Sequence, residues 1–242
     1  MESYREKMIR ELEVRGSATS TIKAYLRTII RLVKFCDKGP EEIDLEDIKK
    51  YLHHLRHKKA TGRKTKMAAN SVNRETSAIA FFYHKVLNRN YYGEIPRLKP
   101  PRINPIILTR DEINKMINGL NNVFWKAVVM TLYSAGLRQS ELRNLKITDV
   151  DSKRMVLYIR NAKGSKDRQA ILYPKVLDCL RVYWKKYRIE RNSAVKSDYL
   201  FIPNKNSYNG ELKKALSHTA VGYIVRRAAE IAGVKKKFTH TA

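Results

Sequence analysis

Acidic residues are scarce in this chain. Its 242 residues hold 23 Asp and Glu against 50 Lys and Arg, a formal charge of +27. Both parts share the imbalance: residues 1–100 carry 22 basic and 12 acidic side chains, residues 101–242 carry 28 and 11. A basic tail on a neutral enzyme is thereby excluded. A field of this kind favours a polyanion through steering and counterion release, and nucleic acid is the expected partner, ahead of an anionic membrane surface. Cysteine is scarce too. Cys36 and Cys179 both sit in apolar helical patterns and read as buried thiols. There is no CxxC pair and the six histidines are scattered, so neither a disulfide framework nor a zinc site has a ligand set. No apolar run reaches the about 20 residues needed to cross a bilayer. The longest candidate, Ala127 to Leu137, is interrupted by Thr131, Tyr133 and Ser134. The opening MESYREKMIRELEVRG has no signal-peptide core. These absences point to a cytoplasmic protein that neither spans a membrane nor holds zinc, and no small-molecule cofactor is expected. Repeats and low-complexity tracts are absent as well.

What is present is 43% apolar residues, enough for a core, arranged mainly at helical spacing. The pattern predicts a helix from Ser3 to Val14, a turn and N-cap in GSATS, and a second helix from Thr21 to Phe35. Asp44 should cap a third from Leu45 to about Lys58, and Asn70 to Leu87 reads as a fourth. Residues 1–90 are therefore expected to form a four-helix domain. Residues 91–107 hold four prolines between 96 and 105 and read as an extended linker. Residues 108–242 then open on a capping box, TRDE, and continue with helices at 110–119 and 122–135. RMVLYIR and RQAILY flank NAKGSKD as a β-hairpin. A helix at 175–191, a short strand at YLFIP and a helix from Thr219 to Ala232 follow. The fold class is mainly α with a small antiparallel sheet, the second domain being α+β.

Three segments carry chemistry. Ile48 to Arg74 contains nine Lys or Arg and no acid. A solvated loop would not need to exclude acids from its flanking helices as well. Lys58, Lys59, Arg63, Lys64 and Lys66 are therefore candidate phosphate contacts, and Asn70, Asn73 and Arg74 could meet phosphates or base edges. In TLYSAGLRQSELRNLKITDVD, Gly136 breaks one helix and Arg138 begins the next, with Glu141 on a polar face and Leu142 and Leu145 on an apolar one. An arginine at a helix start suits a phosphate. The hairpin tip NAKGSKDR offers Lys163, Lys166 and Arg168 to a sugar–phosphate backbone.

Together these segments resemble the tyrosine recombinases of the phage-integrase and Xer type, along essentially the whole chain. TIKAYLRTIIRLVKF resembles the start of the family's core-binding domain. SAGLRQSEL resembles its first catalytic box, A-T-G-L-R-x-S-E-L, with the catalytic arginine at Arg138. AKGSKDR resembles the hairpin motif, with the catalytic lysine at Lys163. HTAVGYIVRRAAEIAGVKKKFTHT resembles the run into the second box, H-x-L-R-H, of which His240 matches the first position and Ala242 departs from the leucine.

The resemblance implies a two-domain DNA clamp: a SAM-like core-binding domain plus a catalytic domain. It implies strand exchange through a 3′-phosphotyrosine, without metal or ATP, by an enzyme that self-associates on DNA. It makes Arg138 a phosphate ligand, Lys163 the acid for the leaving 5′-oxygen and His240 an aid to proton transfer. All fourteen tyrosines precede His240, and none occupies the family nucleophile's place. The expectation for these 242 residues is a catalytic domain incomplete at its C-terminal side, binding DNA without cleaving it. An alternative of another class is an integrase-derived regulator that occupies recombination sites. A non-specific basic binder would not require the hairpin lysine or SAGLRQSEL. A helix-turn-helix repressor leaves residues 131–168 unexplained.

Overall fold

Ser3 opens the first helix with a reciprocal cap in the computed structural model, which describes residues 3–57, 67–91, 93–101, 104, 106–162, 166–189, 198–203 and 215–235. The Glu6 amide donates to Ser3 Oγ at 3.3 Å and the Ser3 amide to Glu6 Oε2 at 2.9 Å. The chain divides into two units, Met1–Ile103 and Asn104–Ala242.

The first unit is built from α1 (Tyr4–Val14), α2 (Thr19–Cys36), α3 (Leu45–His57) and α4 (Ala69–Phe81), the last running on into a π-helical turn, Phe82–Val86. Apolar residues three and four apart give each helix one inward stripe. Met8, Leu12, Leu32, Ile48, Val72, Ile79, Phe82 and Tyr83 meet in the core. Asp44 caps α3 as its position suggests, accepting from the Asp47 amide at 2.8 Å. The expected side-chain cap in GSATS is not made. The capping residue of α2 is Ala18, one step beyond Ser17, and it offers no acceptor. α2 ends where Asp37 turns left-handed, φ 51°. Arg31 reaches from α2 to α4 with Nη2 at 2.7 and 2.8 Å from the two carboxylate oxygens of Glu75. The proline-rich segment is fastened to α4. Asn73 Nδ2 donates to the Leu98 carbonyl at 2.8 Å, the Leu98 amide donates back to Asn73 Oδ1 at 2.9 Å, and Arg97 donates to Ser77.

In the second unit, Thr109 and Glu112 form the capping box of α5 (Arg110–Asn118), and Asn122 caps α6 (Val123–Ser134). Gly136 then takes φ +54°, a conformation that costs a side-chain-bearing residue most, and the chain turns into α7 (Gln139–Asn144). A 3-10 turn, Ile147–Asp149, leads to β1 (Val150–Asp151), β2 (Val156–Ala162) and β3 (Lys166–Ile171), an antiparallel sheet in the order β1-β2-β3. Ile159 stands opposite Arg168, and the register shifts between Ile159 and Ala162. α8 (Pro174–Tyr183) continues as a π-helical stretch, Trp184–Ile189, and α9 (His218–Ile231) starts on Ser217. YLFIP makes less sheet than its composition suggests. Tyr199 forms a single bridge with Lys146, while Leu200 and Phe201 are drawn into the core and Ile202 is buried beside them. Leu142, Leu145, Leu157, Ile159, Val128, Tyr183 and Val221 complete that core.

Candidate nucleic-acid interface

Arg138 lies just before α7, with non-helical backbone angles of φ −69° and ψ 153°. Glu141, three residues on, comes back to it. The Arg138 amide donates to Glu141 Oε2 at 2.9 Å, and Arg138 Nη1 donates to Oε1 at 2.8 Å. This is the acidic half of a capping box, and it fixes where the arginine leaves the backbone. Glu141 is not on a polar face. Its side chain is 3% exposed, whereas that of Arg138 is 46% exposed. A second guanidinium completes the shell from the sheet: Arg168 Nη2 donates to Glu141 Oε2 at 2.8 Å and to the Gly136 carbonyl at 3.0 Å. Burial opposes ionisation of Glu141. The Arg138 amide and then the Arg168 and Arg138 guanidiniums outweigh it and hold the carboxyl below its ordinary value. One buried anion thus organises two half-exposed cations. Such a cluster can offer the outer edge of a guanidinium to a phosphate oxygen without leaving a buried charge unpaired.

A second buried carboxylate repeats the arrangement nearby in sequence. Asp149, 4% exposed, accepts from Arg160 Nε at 2.7 Å and from the Lys146 amide at 2.8 Å. Arg143 turns inward and donates to the Leu216 carbonyl, fixing α7 to the approach to α9. Gln139, next to Arg138, is also buried, at 4% exposure.

The first unit carries its own polar cleft of about 620 Å³, lined from α2 and α4. Arg27, Arg31, Asn70, Arg74 and Arg97 line it. Both helices start on alanine, Ala18 and Ala68, with no side-chain cap. The first amides of neither helix therefore meet a capping side chain, and the positive end of each helix dipole is left without a capping acceptor. Asn70 and Arg74 are exposed there. Asn73 belongs to the same cleft, but both ends of its amide are engaged by Leu98, which gives it a fastening task absent from the sequence reading.

Arg138 and Arg168 are thus brought together on Glu141. The backbone of Lys166 lies in β3, paired with Ala162. Lys58, Lys59, Arg63, Lys64, Lys66, Lys163 and His240 lie outside the described residues. Sequence reading missed Glu141 and Asp149 as the organising groups. The i, i+3 spacing of Arg138 and Glu141 was a usable signal, whereas nothing local joins Arg168 to either. Among the tyrosines, Tyr51 and Tyr183 serve packing, and burial pushes both hydroxyls up to about 12.

A family model described as phage integrase, N-terminal SAM-like domain, matches residues 4–92, and one described as phage integrase family matches residues 107–241. The Sinorhizobium fredii protein y4qK, named as an integrase/recombinase, is 31% identical over 99% of this chain and 72% of its own length. The tyrosine recombinase XerA of Thermococcus kodakarensis is 28% identical over 93% of this chain and 73% of its own. The crystal structure of a lambda integrase dimer bound to a COC′ core site superposes with a TM-score of 0.67 at 15% identity, covering 97% of this chain and 82% of that one. The fold is shared with that structure.

Proposed function

The chain belongs to the phage integrase family, the tyrosine recombinases, and from that membership we propose that it binds double-stranded DNA at a recombination site and grips one phosphodiester with Arg138. The observation that carries this reading is the buried Glu141 carboxylate, which aims a half-exposed arginine from the start of α7. In the reaction of the family, charge builds on the non-bridging oxygens as a tyrosine attacks. A fixed guanidinium stabilises that charge without reorganising at the moment of reaction. Lys163 is assigned to protonating the leaving 5′-oxygen and His240 to assisting proton transfer. Lys58, Lys59, Arg63, Lys64, Lys66, Asn70, Arg74 and Lys166 are assigned to the DNA backbone. The site functions in the cytoplasm, without metal or cofactor. Self-association on DNA is part of the proposal, and the DNA-bound lambda integrase dimer of the same fold supports it.

A polypeptide of these 242 residues is proposed to bind DNA without cutting it. The support is compositional: all fourteen tyrosines precede His240, and the second arginine of the family's box is not among the residues. Incubation with a nicked suicide duplex, which traps covalent protein–DNA adducts, should yield retarded complexes but no adduct resistant to denaturation. A trapped phosphotyrosine adduct would refute it. Arg138→Ala should lower occupancy of the site. Unchanged occupancy would favour a regulator that holds DNA through the first unit alone.

A further inference from the structure

We infer that Arg168 is a positioning residue for Arg138, acting through Glu141, rather than a DNA contact in its own right. The inference rests on the reading of Arg138 as a phosphate ligand. Glu141 offers two carboxylate oxygens in a buried position. Oε1 takes Arg138 Nη1, and Oε2 takes Arg168 Nη2 together with the Arg138 amide. Arg168 uses one nitrogen for two bonds, because Nη2 also donates to the Gly136 carbonyl at 3.0 Å. That nitrogen has two hydrogens, so both are spent.

The division of Glu141 between the two arginines has a consequence for Arg138. A guanidinium beside a carboxylate prefers the two-pronged arrangement, with both oxygens matched. Arg168 occupies Oε2, so Arg138 meets the carboxylate through Nη1. Its other donors then remain directed away from the carboxylate and are usable by a phosphate. Arg168 also fixes the Gly136 carbonyl, two residues before Arg138, and Gly136 is the left-handed pivot between α6 and α7. Both the turn and the anion that set Arg138 are therefore referenced to β3. The same strand begins at Lys166, three residues beyond Lys163, so Arg168 couples the SAGLRQSEL segment to the strand that carries the hairpin.

The test uses the full 242-residue chain, with a mixed-sequence DNA duplex of about thirty base pairs as the probe. Arg138→Ala and Arg168→Ala should each weaken binding about tenfold, and the double variant should be no weaker than Arg138→Ala alone. Additive losses, with the salt slope reduced by about 0.9 for each arginine removed, would make Arg168 a phosphate contact and overturn the inference. Where Arg138→Ala does weaken binding, an Arg168→Ala variant that lowers thermal stability but leaves affinity intact would overturn it too. A readout without DNA keeps it separate from the reading of Arg138. In 15N spectra of the arginine guanidiniums, Arg168→Ala should turn the single bonded Nη of Arg138 into a bonded pair. An unaltered Arg138 signal sinks the inference whatever the DNA result. Loss of that signal pattern in Arg168→Ala, with Arg138→Ala binding normally, supports the coupling and overturns only the phosphate assignment. Arg168→Gln, which keeps a donor for Gly136, replaces the alanine variant should the latter fail to fold.

Discussion

At the scale of single residues, Glu141 decides the character of the site. A carboxylate at 3% exposure is tolerable only because two guanidiniums and an amide surround it. Its carboxyl titrates below the ordinary value in the folded state, so its ionised form stabilises the fold. That contribution is present above the ordinary value near 4.5 and is lost as pH falls through the lowered one. Glu141→Gln removes the titrating group. Acid unfolding of the variant, followed by circular dichroism, should begin at lower stability and lose less between pH 5 and 3 than the parent. An equal pH dependence in both proteins would show that Glu141 is not the group responsible. Asp149, held by Arg160 and the Lys146 amide, is a second buried carboxylate.

At the scale of elements, α4 does more than close the first core. Its outward face holds the proline-rich segment through Asn73 and Ser77. An extended segment with prolines has few partners for its own amides, so a side-chain amide that matches a peptide unit, donor to carbonyl and acceptor to N–H, is an efficient fastening. Asn73→Ala should cost about 1–3 kcal/mol in chemical denaturation and expose the chain near Leu98 to limited proteolysis. Cleavage near Leu98 at the parental rate would show that the two bonds do not hold the segment. Asn70 and Arg74, exposed on the same helix, line the basic cleft beside Asn73 and are the residues proposed to meet DNA there.

At the scale of the whole molecule, the net charge of +27 is the dominant property. Association with DNA should weaken steeply as salt rises, because each neutralised phosphate releases counterions. The acid-free stretch from Ile48 to Arg74 is assigned a large part of this. Replacing Lys58, Lys59, Arg63 and Lys64 together by glutamine should reduce the magnitude of the salt slope by up to about 3.6. A slope equal to the parent's removes that segment from the interface. The described residues contain no helix long and apolar enough to cross a membrane.

The sequence by itself determined the helices, the hairpin and the family. Capping signals such as TRDE and Asp44, apolar residues at helical spacing, and the left-handed Gly136 are local, so their consequences are legible without knowing the fold. Local signals also misled. GSATS offered three hydroxyls yet α2 starts on Ala18, and YLFIP has strand composition yet gives its apolar residues to the core. Tertiary packing outweighed propensity at both places. Only the tertiary structure decided how Arg138 is aimed. Arg168 is thirty residues away along the chain, and its meeting with Glu141 depends on the register that sets Ile159 opposite Arg168 and on the packing of β2 against α7. A charge pair of that separation leaves no periodic trace in sequence, because the energy that joins it arises only when burial removes the carboxylate from water.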